Sequence, residues 1–251
     1  MLTYIPLYIL VFLYGIVIGS FVNVCIYRIP KGEDIVKTSS HCMSCGHKLT
    51  WYDLFPVFSF LVLKGRCRYC GIKLSIQYPV IELINGLLYC LIVGVKGVNI
   101  SSILYCLLAS ALLTLSVIDF RTLEIPLGIN IFILVIGIVH VIINFQGILN
   151  YSLGFLSVSM GLFILYQITG GRGIGGGDIK LMAVSGLFLG VIGNILAFIL
   201  ACILGSVIHI LRMKIAKADH VLAFGPYLAM GIMISLLWGN TIISWYMSLF
   251  F

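Results

Sequence analysis

The sequence predicts an all-α, polytopic membrane protein of about eight transmembrane helices with one small, zinc-binding cytoplasmic insert. Three observations lead there: the composition, the spacing of the apolar runs and the placement of the basic residues. Of 251 residues, 61% are hydrophobic and only 9% are charged. A soluble domain carries about 25% charged residues. So few cannot cover a water-facing surface, and the chain is read as dissolved in lipid.

Apolar runs of spanning or near-spanning length occur at about 4–27, 79–95, 100–118, 126–144, 148–168, 179–193, 194–211 and 221–238. The first has no basic leader and no small-residue cleavage site, so it reads as a retained helix. The stretch 179–211 is longer than one span needs, and Gly193-Asn194 offers a break near its middle. A last run, 239–251, is too short to span and suits the interface.

Charge placement decides between one helix and two. With the N-terminus outside and the stretch split, fourteen of the fifteen basic residues fall on one face, leaving only Lys96 outside. Without the split, the cluster Arg212, Lys214 and Lys217 crosses over. The positive-inside rule therefore favours eight helices, both termini outside, with the loop 28–78 in the cytoplasm. The net charge of +7 is explained in the same way. It lies in short loops between apolar runs and does not form a nucleic-acid surface.

Within that loop stand Cys42-x-x-Cys45 and Cys67-x-x-Cys70. Each pair can clamp one side of a tetrahedral metal, and disulfides are disfavoured in the cytoplasm. A structural zinc held by Cys42, Cys45, Cys67 and Cys70 is expected, with His41 and His47 as possible substitutes. Gly46 and Gly71 each follow a second cysteine, where the knuckle must turn. Cys25, Cys90, Cys106 and Cys202 lie in apolar runs and read as small packing residues.

Two acids mark the candidate chemistry. Asp119 follows the third apolar run and Asp178 precedes the sixth, both on the cytoplasmic side of this topology. Carboxylates at a membrane are costly and usually functional. Two that share a proton can hydrolyse a peptide, one activating water and the other protonating the carbonyl oxygen. Asp178 closes the stretch Thr169-Gly-Gly-Arg-Gly-Ile-Gly-Gly-Gly-Asp178, and glycine permits close backbone approach. Taken singly, each acid also suits a helix-end cap. Helix-end electrostatics favours Asp178 as the base and Asp119 as the acid. Arg172 in the glycine-rich stretch matches no phosphate-loop pattern.

Glu82 and Asn85 share a helix face one turn into the second apolar run. Glu82 reads either as an interfacial carboxylate paired with Lys73 or Arg28, or as the wall of a second site. His140 and His209 read as interhelical hydrogen-bonding groups.

These residues together resemble the bacterial type IV prepilin peptidases, a family of GxGD aspartyl proteases. The resemblance runs through Gly19 to Pro30, the double CxxC loop from His41 to Gly71, Gln77 to Gly86, Asp119 with Ile125-Pro126, Gly175-Gly-Gly-Asp178-Ile-Lys-Leu181, and Phe224-Gly-Pro-Tyr-Leu-Ala-Met-Gly231. One departure is visible: Leu54 follows Asp53 where the family's loop carries Asn. The resemblance implies an enzyme of the bacterial cytoplasmic membrane that cleaves the basic leader of prepilins or pseudopilins. It implies Asp119 and Asp178 as the catalytic pair, and methylation of the new N-terminus from S-adenosylmethionine. Residues 1–95 would carry the methyltransferase part and 96–251 the peptidase core. Glu82, Asn23 and Arg28 are the residues expected near the methyl donor. Three alternatives stand beside this reading: a peptidase without methylation, a cation-coupled transporter using the two aspartates, and a non-catalytic zinc-bearing scaffold.

Overall fold

The computed structural model describes residues 5–50, 52–171, 173–216 and 222–249. Trp51, Arg172 and Lys217, which entered the reading above, lie outside the described residues. Nine α-helices are described: α1 (Ile5–Arg28), α2 (Phe58–Val62), α3 (Gln77–Lys96), α4 (Ile100–Thr122), α5 (Leu127–Ile143), α6 (Ile148–Ser157), α7 (Ser159–Thr169), α8 (Gly176–Ala216) and α9 (Gly225–Met247). Among the described residues, β structure is limited to two isolated bridges, His41 with Lys48 and Arg66 with Lys73. The chain divides into two compact units, Met1–Val98 and Asn99–Phe251.

In the first unit α1 and α3 pack antiparallel. Gly15-x-x-x-Gly19 lets the backbones close up, as small residues do between membrane helices. A Cβ on Gly15 would lie 2.6 Å from Gly86 Cα, and one on Gly19 would lie 2.7 Å from Glu82 Cα. Buried amides lock the register: Asn85 Nδ2 donates to Gly15 O at 2.7 Å and Asn23 Nδ2 to Tyr78 O at 3.0 Å.

In the second unit α9 packs against α8 and α4, and α8 packs against α5, α6 and α7. His140 ties three helices together. Its Nδ1 donates to Leu187 O at 3.1 Å, so its Nε2 accepts from the Tyr105 hydroxyl, also at 3.1 Å. This is the interhelical role expected of it.

The chain doubles back inside α8. Gly190 has φ 67 and ψ −171, a backbone region open essentially to glycine alone. Residues twelve apart on an unbroken helix are about 18 Å apart along its axis. Here Asn194 Nδ2 donates to Met182 O at 3.0 Å, and Ser185 Oγ donates to Asn194 Oδ1 at 2.9 Å. The arms 176–189 and 191–216 therefore run back along each other. The break falls at Gly190 and not at Gly193-Asn194, because those two residues remain helical.

Among the described residues, six helical stretches are long and apolar enough to cross a bilayer, and Leu127–Ile143 is a shorter apolar helix. By length alone the expected eight spans are not all separate. The expectation that 239–251 forms a separate interfacial run is corrected: α9 continues unbroken from Gly225 to Met247.

Candidate active site and metal centre

Asp119 lies in the last turn of α4 and is buried, 5% exposed. The helix stops directly after it. Leu123 takes a left-handed φ of 56, and its N–H returns to Asp119 O at 2.8 Å. Asp178 is the third residue of α8 and is half-buried. The two carboxylates come from different helices and lie within electrostatic range of each other.

The glycines around the pair have separate geometric duties. A Cβ on Gly177 would sit 2.8 Å from Ile125 Cβ, so this glycine admits the strand of chain that leads from Asp119 into α5. A Cβ on Gly175 would sit 3.0 Å from Asp178 Oδ2, so this glycine leaves room for the carboxylate itself. Gly176 has open space around its Cβ position. The pattern glycine, any residue, glycine, aspartate is thus a packing requirement at two of its three leading positions.

Two contributors were not found by sequence reasoning. Gly225, the first residue of α9, donates its N–H to Asp119 Oδ2 at 2.8 Å. Each carboxylate therefore faces a helix N-terminus, and helix-end electrostatics does not separate their roles as the sequence suggested. The sequence signal was the Phe224-Gly-Pro motif, but not its target. The second, a candidate by position alone, is Asn130, 3% exposed, whose Nδ2 and Oδ1 are both buried without a hydrogen-bond partner in the protein. Ile125 meets Gly177 and Gly137 meets Leu187, so α5 runs parallel to the first arm of α8. Asn130 shares the buried face of α5 with Ile133, Gly137 and His140 and falls between those two contacts, about one turn from Asp178.

Beside Phe224 opens a cavity of about 350 Å³ lined by Cys202, Gly205, Ser206, His209, Ile210, Leu222 and Phe224. His209 Nδ1 is buried there without a protein partner, so the expected interhelical hydrogen bond is not found at that nitrogen.

In the first unit, two similar knuckles bring four sulfurs together. Cys42 N–H donates to His47 O and Gly46 N–H to Cys42 O. Cys67 N–H donates to Ile72 O and Gly71 N–H to Cys67 O. Gly46 and Gly71 take left-handed φ values of 70 and 71, which lets each chain turn back over its sulfurs. All four Sγ atoms lie within 4.8 Å of one another, and Cys42 Sγ is 3.9 Å from Cys70 Sγ. A tetrahedral Zn–S length of about 2.3 Å needs sulfurs about 3.8 Å apart, so the cluster fits a metal ion. The amides of Cys45 and Ser44 hold the Cys42 thiol down at about 6. At Cys70 the Ile72 amide acts in the same sense, but burial and the neighbouring sulfurs outweigh it and push that thiol up to about 11. Between the knuckles, Asp53 accepts from Thr50 Oγ1 and Arg68 Nε, both at 2.7 Å. Burial works to raise its carboxyl, but these hydrogen bonds win and hold it below the usual carboxylate range.

The three residues expected near a methyl donor have protein partners. Arg28 donates to the carbonyls of Asp34, Thr38 and Ser39 at 2.7–3.3 Å. Glu82 Oε2 accepts from Val57 N–H at 2.7 Å and interacts with the Ser20 side chain, not with Lys73 or Arg28. Asn23 keeps only its Oδ1 unpartnered.

Comparison with known proteins follows the same two blocks. Residues 13–95 match the Bacterial Peptidase A24 N-terminal domain, and residues 106–210 match the Type IV leader peptidase family. A prepilin leader peptidase/N-methyltransferase of Bacillus subtilis (strain 168) is 33% identical, covering 96% of this chain and 98% of that protein. Proteins of the same name from Pseudomonas putida and Neisseria gonorrhoeae are 29% and 28% identical, over 91% and 85% of this chain and 89% and 84% of their own. No solved structure matches the chain.

Proposed function

The chain belongs to the type IV leader peptidase family, and from that premise we propose that it cleaves the leader from prepilins or pseudopilins and N-methylates the new N-terminus. The observation that most supports cleavage is that Asp119 and Asp178, from two helices, lie within electrostatic range of each other, with Gly225 N–H fixed on Asp119. One carboxylate takes a proton from water as the water oxygen attacks the scissile carbonyl carbon. The other, protonated, gives its proton to the carbonyl oxygen. The C–N bond then breaks and the amine leaves with a proton. Asn130 holds a peptide group of the extended substrate beside this centre, since a carboxamide offers one donor and one acceptor edge to match it.

The eight-pass topology, with the aspartates and the insert at the cytoplasmic face of the bacterial membrane, is part of this reading. It is supported by the basic-residue bias and by the reversal at Gly190, which returns both ends of α8 to one side. Zinc is the metal inferred for Cys42, Cys45, Cys67 and Cys70, as a structural ion. S-adenosylmethionine is the donor that methylation requires. Asn23, Arg28 and Glu82 are the residues proposed to lie near that donor; each also holds a protein partner, Asn23 Oδ1 is left unpartnered, and no transfer step is assigned to them.

The test is cleavage of a synthetic prepilin by the purified full chain, with methyl transfer followed separately. Asp119→Asn and Asp178→Asn should each lower cleavage by about 10²–10⁴-fold. Near wild-type cleavage by either stably expressed variant would sink the aspartyl mechanism.

A further inference from the structure

Between its two cysteine pairs the insert presents an apolar hairpin. Leu54, Phe55, Phe58, Leu61 and Val62 are all exposed, Leu61 at 65% and Val62 at 76%. Apolar side chains grouped on one surface mark an interaction site. The hairpin is also tied at a definite depth. Val57, which opens α2, donates its N–H to Glu82 Oε2 at 2.7 Å, and Glu82 is 6% exposed. Glu82 is five residues into α3, so Val57 is held about 7.5 Å along that axis from Gln77. At 20 residues, α3 is about 30 Å long, the thickness of the hydrocarbon core with nothing to spare. The tether therefore draws a segment of the insert below the level at which α3 enters the bilayer. Val57 is held there at φ 61, ψ −50, a costly conformation for a β-branched residue.

Charge identifies the partner. Lys48, Lys64, Arg66, Arg68 and Lys73 flank the hairpin. From residue 35 to residue 81 the one acid is Asp53, and it is paired with Arg68 at 2.7 Å. Basic residues beside an apolar wedge suit an anionic lipid surface.

We propose that residues 54–62 form a re-entrant anchor in the anionic leaflet beside Gln77. Their apolar side chains lie among the acyl chains, and the flanking lysines and arginines contact the headgroups. The anchor rests on the membrane reading of α3 but not on the aspartate chemistry. Glu82 then serves as the cleat that holds the insert against the bilayer.

The experiment places a benzophenone side chain at Leu61, or at Val36 as a control in the same insert that is 84% exposed. The full-length protein is reconstituted in nanodiscs of phosphatidylethanolamine with phosphatidylglycerol and irradiated, and adducts are identified by mass spectrometry. Position 61 should yield phospholipid adducts several-fold above position 36. The yield should fall when phosphatidylglycerol is omitted and when Glu82→Ala releases the tether. Metal content of each variant reports that the insert remains folded. Lipid adducts at 61 no higher than at 36 would overturn the proposal. So would adducts that pass wholly to added prepilin, which would make the hairpin a substrate contact. Wild-type cleavage measured in the same nanodiscs tests the peptidase reading separately.

Discussion

The amide of Gly225 and the carboxylate of Asp119, 106 residues apart in sequence, are joined by a 2.8 Å hydrogen bond, and the same glycine leaves no room for a side chain. A Cβ at 225 would lie 2.7 Å from Asp119 Oδ2 and 3.1 Å from its Cγ. Gly225→Ala should displace the carboxylate and weaken that bond, a cost of about 1–3 kcal/mol at a buried polar group. Cleavage should fall about 10–100-fold while the protein inserts and binds metal as before. Unchanged cleavage would show that Asp119 does not need this donor.

The glycines before Asp178 should divide. Gly176→Ala meets open space and should cleave normally. Gly177→Ala meets Ile125 Cβ at 2.8 Å and must push α5 away from the first arm of α8. Its cleavage should drop at least about tenfold, as expected for overpacking by about 1–3 kcal/mol. Equal behaviour of the two variants would refute this packing account.

Substitution of Asn130 should move activity and stability in opposite directions. A buried polar group without a partner costs about 1–3 kcal/mol, so Asn130→Leu should leave the thermal midpoint unchanged or raise it. If the amide binds substrate, cleavage should nevertheless fall about 10–100-fold, mostly through KM. A variant that is more stable and fully active would reduce Asn130 to a tolerated core residue.

Elemental analysis should find about one zinc per chain, the content of a single four-thiolate site. Cys42→Ser/Cys67→Ser should lose it and expose residues 40–75 to proteolysis. Cleavage should persist, because both aspartates belong to the other compact unit. Wild-type metal content in the double variant would remove these cysteines as ligands.

What could be read from the sequence was whatever rests on local chemistry. The cysteine spacing and the two aspartates are patterns in short windows, and the apolar runs locate nearly every helix. What could not be read depends on the partner of a side chain. Glu82 looked ready for Lys73, Arg28 or a ligand, but it takes the amide of Val57, and no spacing rule foretells a backbone partner 25 residues away. The break in α8 was expected at Gly193-Asn194 because that dipeptide sits near the middle of a stretch too long for one span. It falls at Gly190 because Asn194 is instead used across the hairpin, reaching Met182 and Ser185. Asn130 was invisible because a lone Asn in an apolar helix carries no signal until its surroundings are known.

The reversal at Gly190 also bears on bilayer thickness. The arm 176–189 is about 21 Å long, and α5 beside it, at 17 residues, is about 25 Å. Both are shorter than a hydrocarbon core of about 30 Å, they run in parallel, and both begin at the aspartate end. The first arm of α8 is buried by its neighbours, but α5 turns Ile131, Val135, Ile138 and Ile142 outward, so either the bilayer thins around α5 or its aspartate end sits below the headgroups, and each accommodation carries a hydrophobic-mismatch cost. The enzyme should therefore behave as a thickness gauge. In nanodiscs of lengthening acyl chains, cleavage should decline as the membrane thickens, while metal content and helicity hold constant. A rate indifferent to chain length would mean that α5 does not meet lipid along its full length.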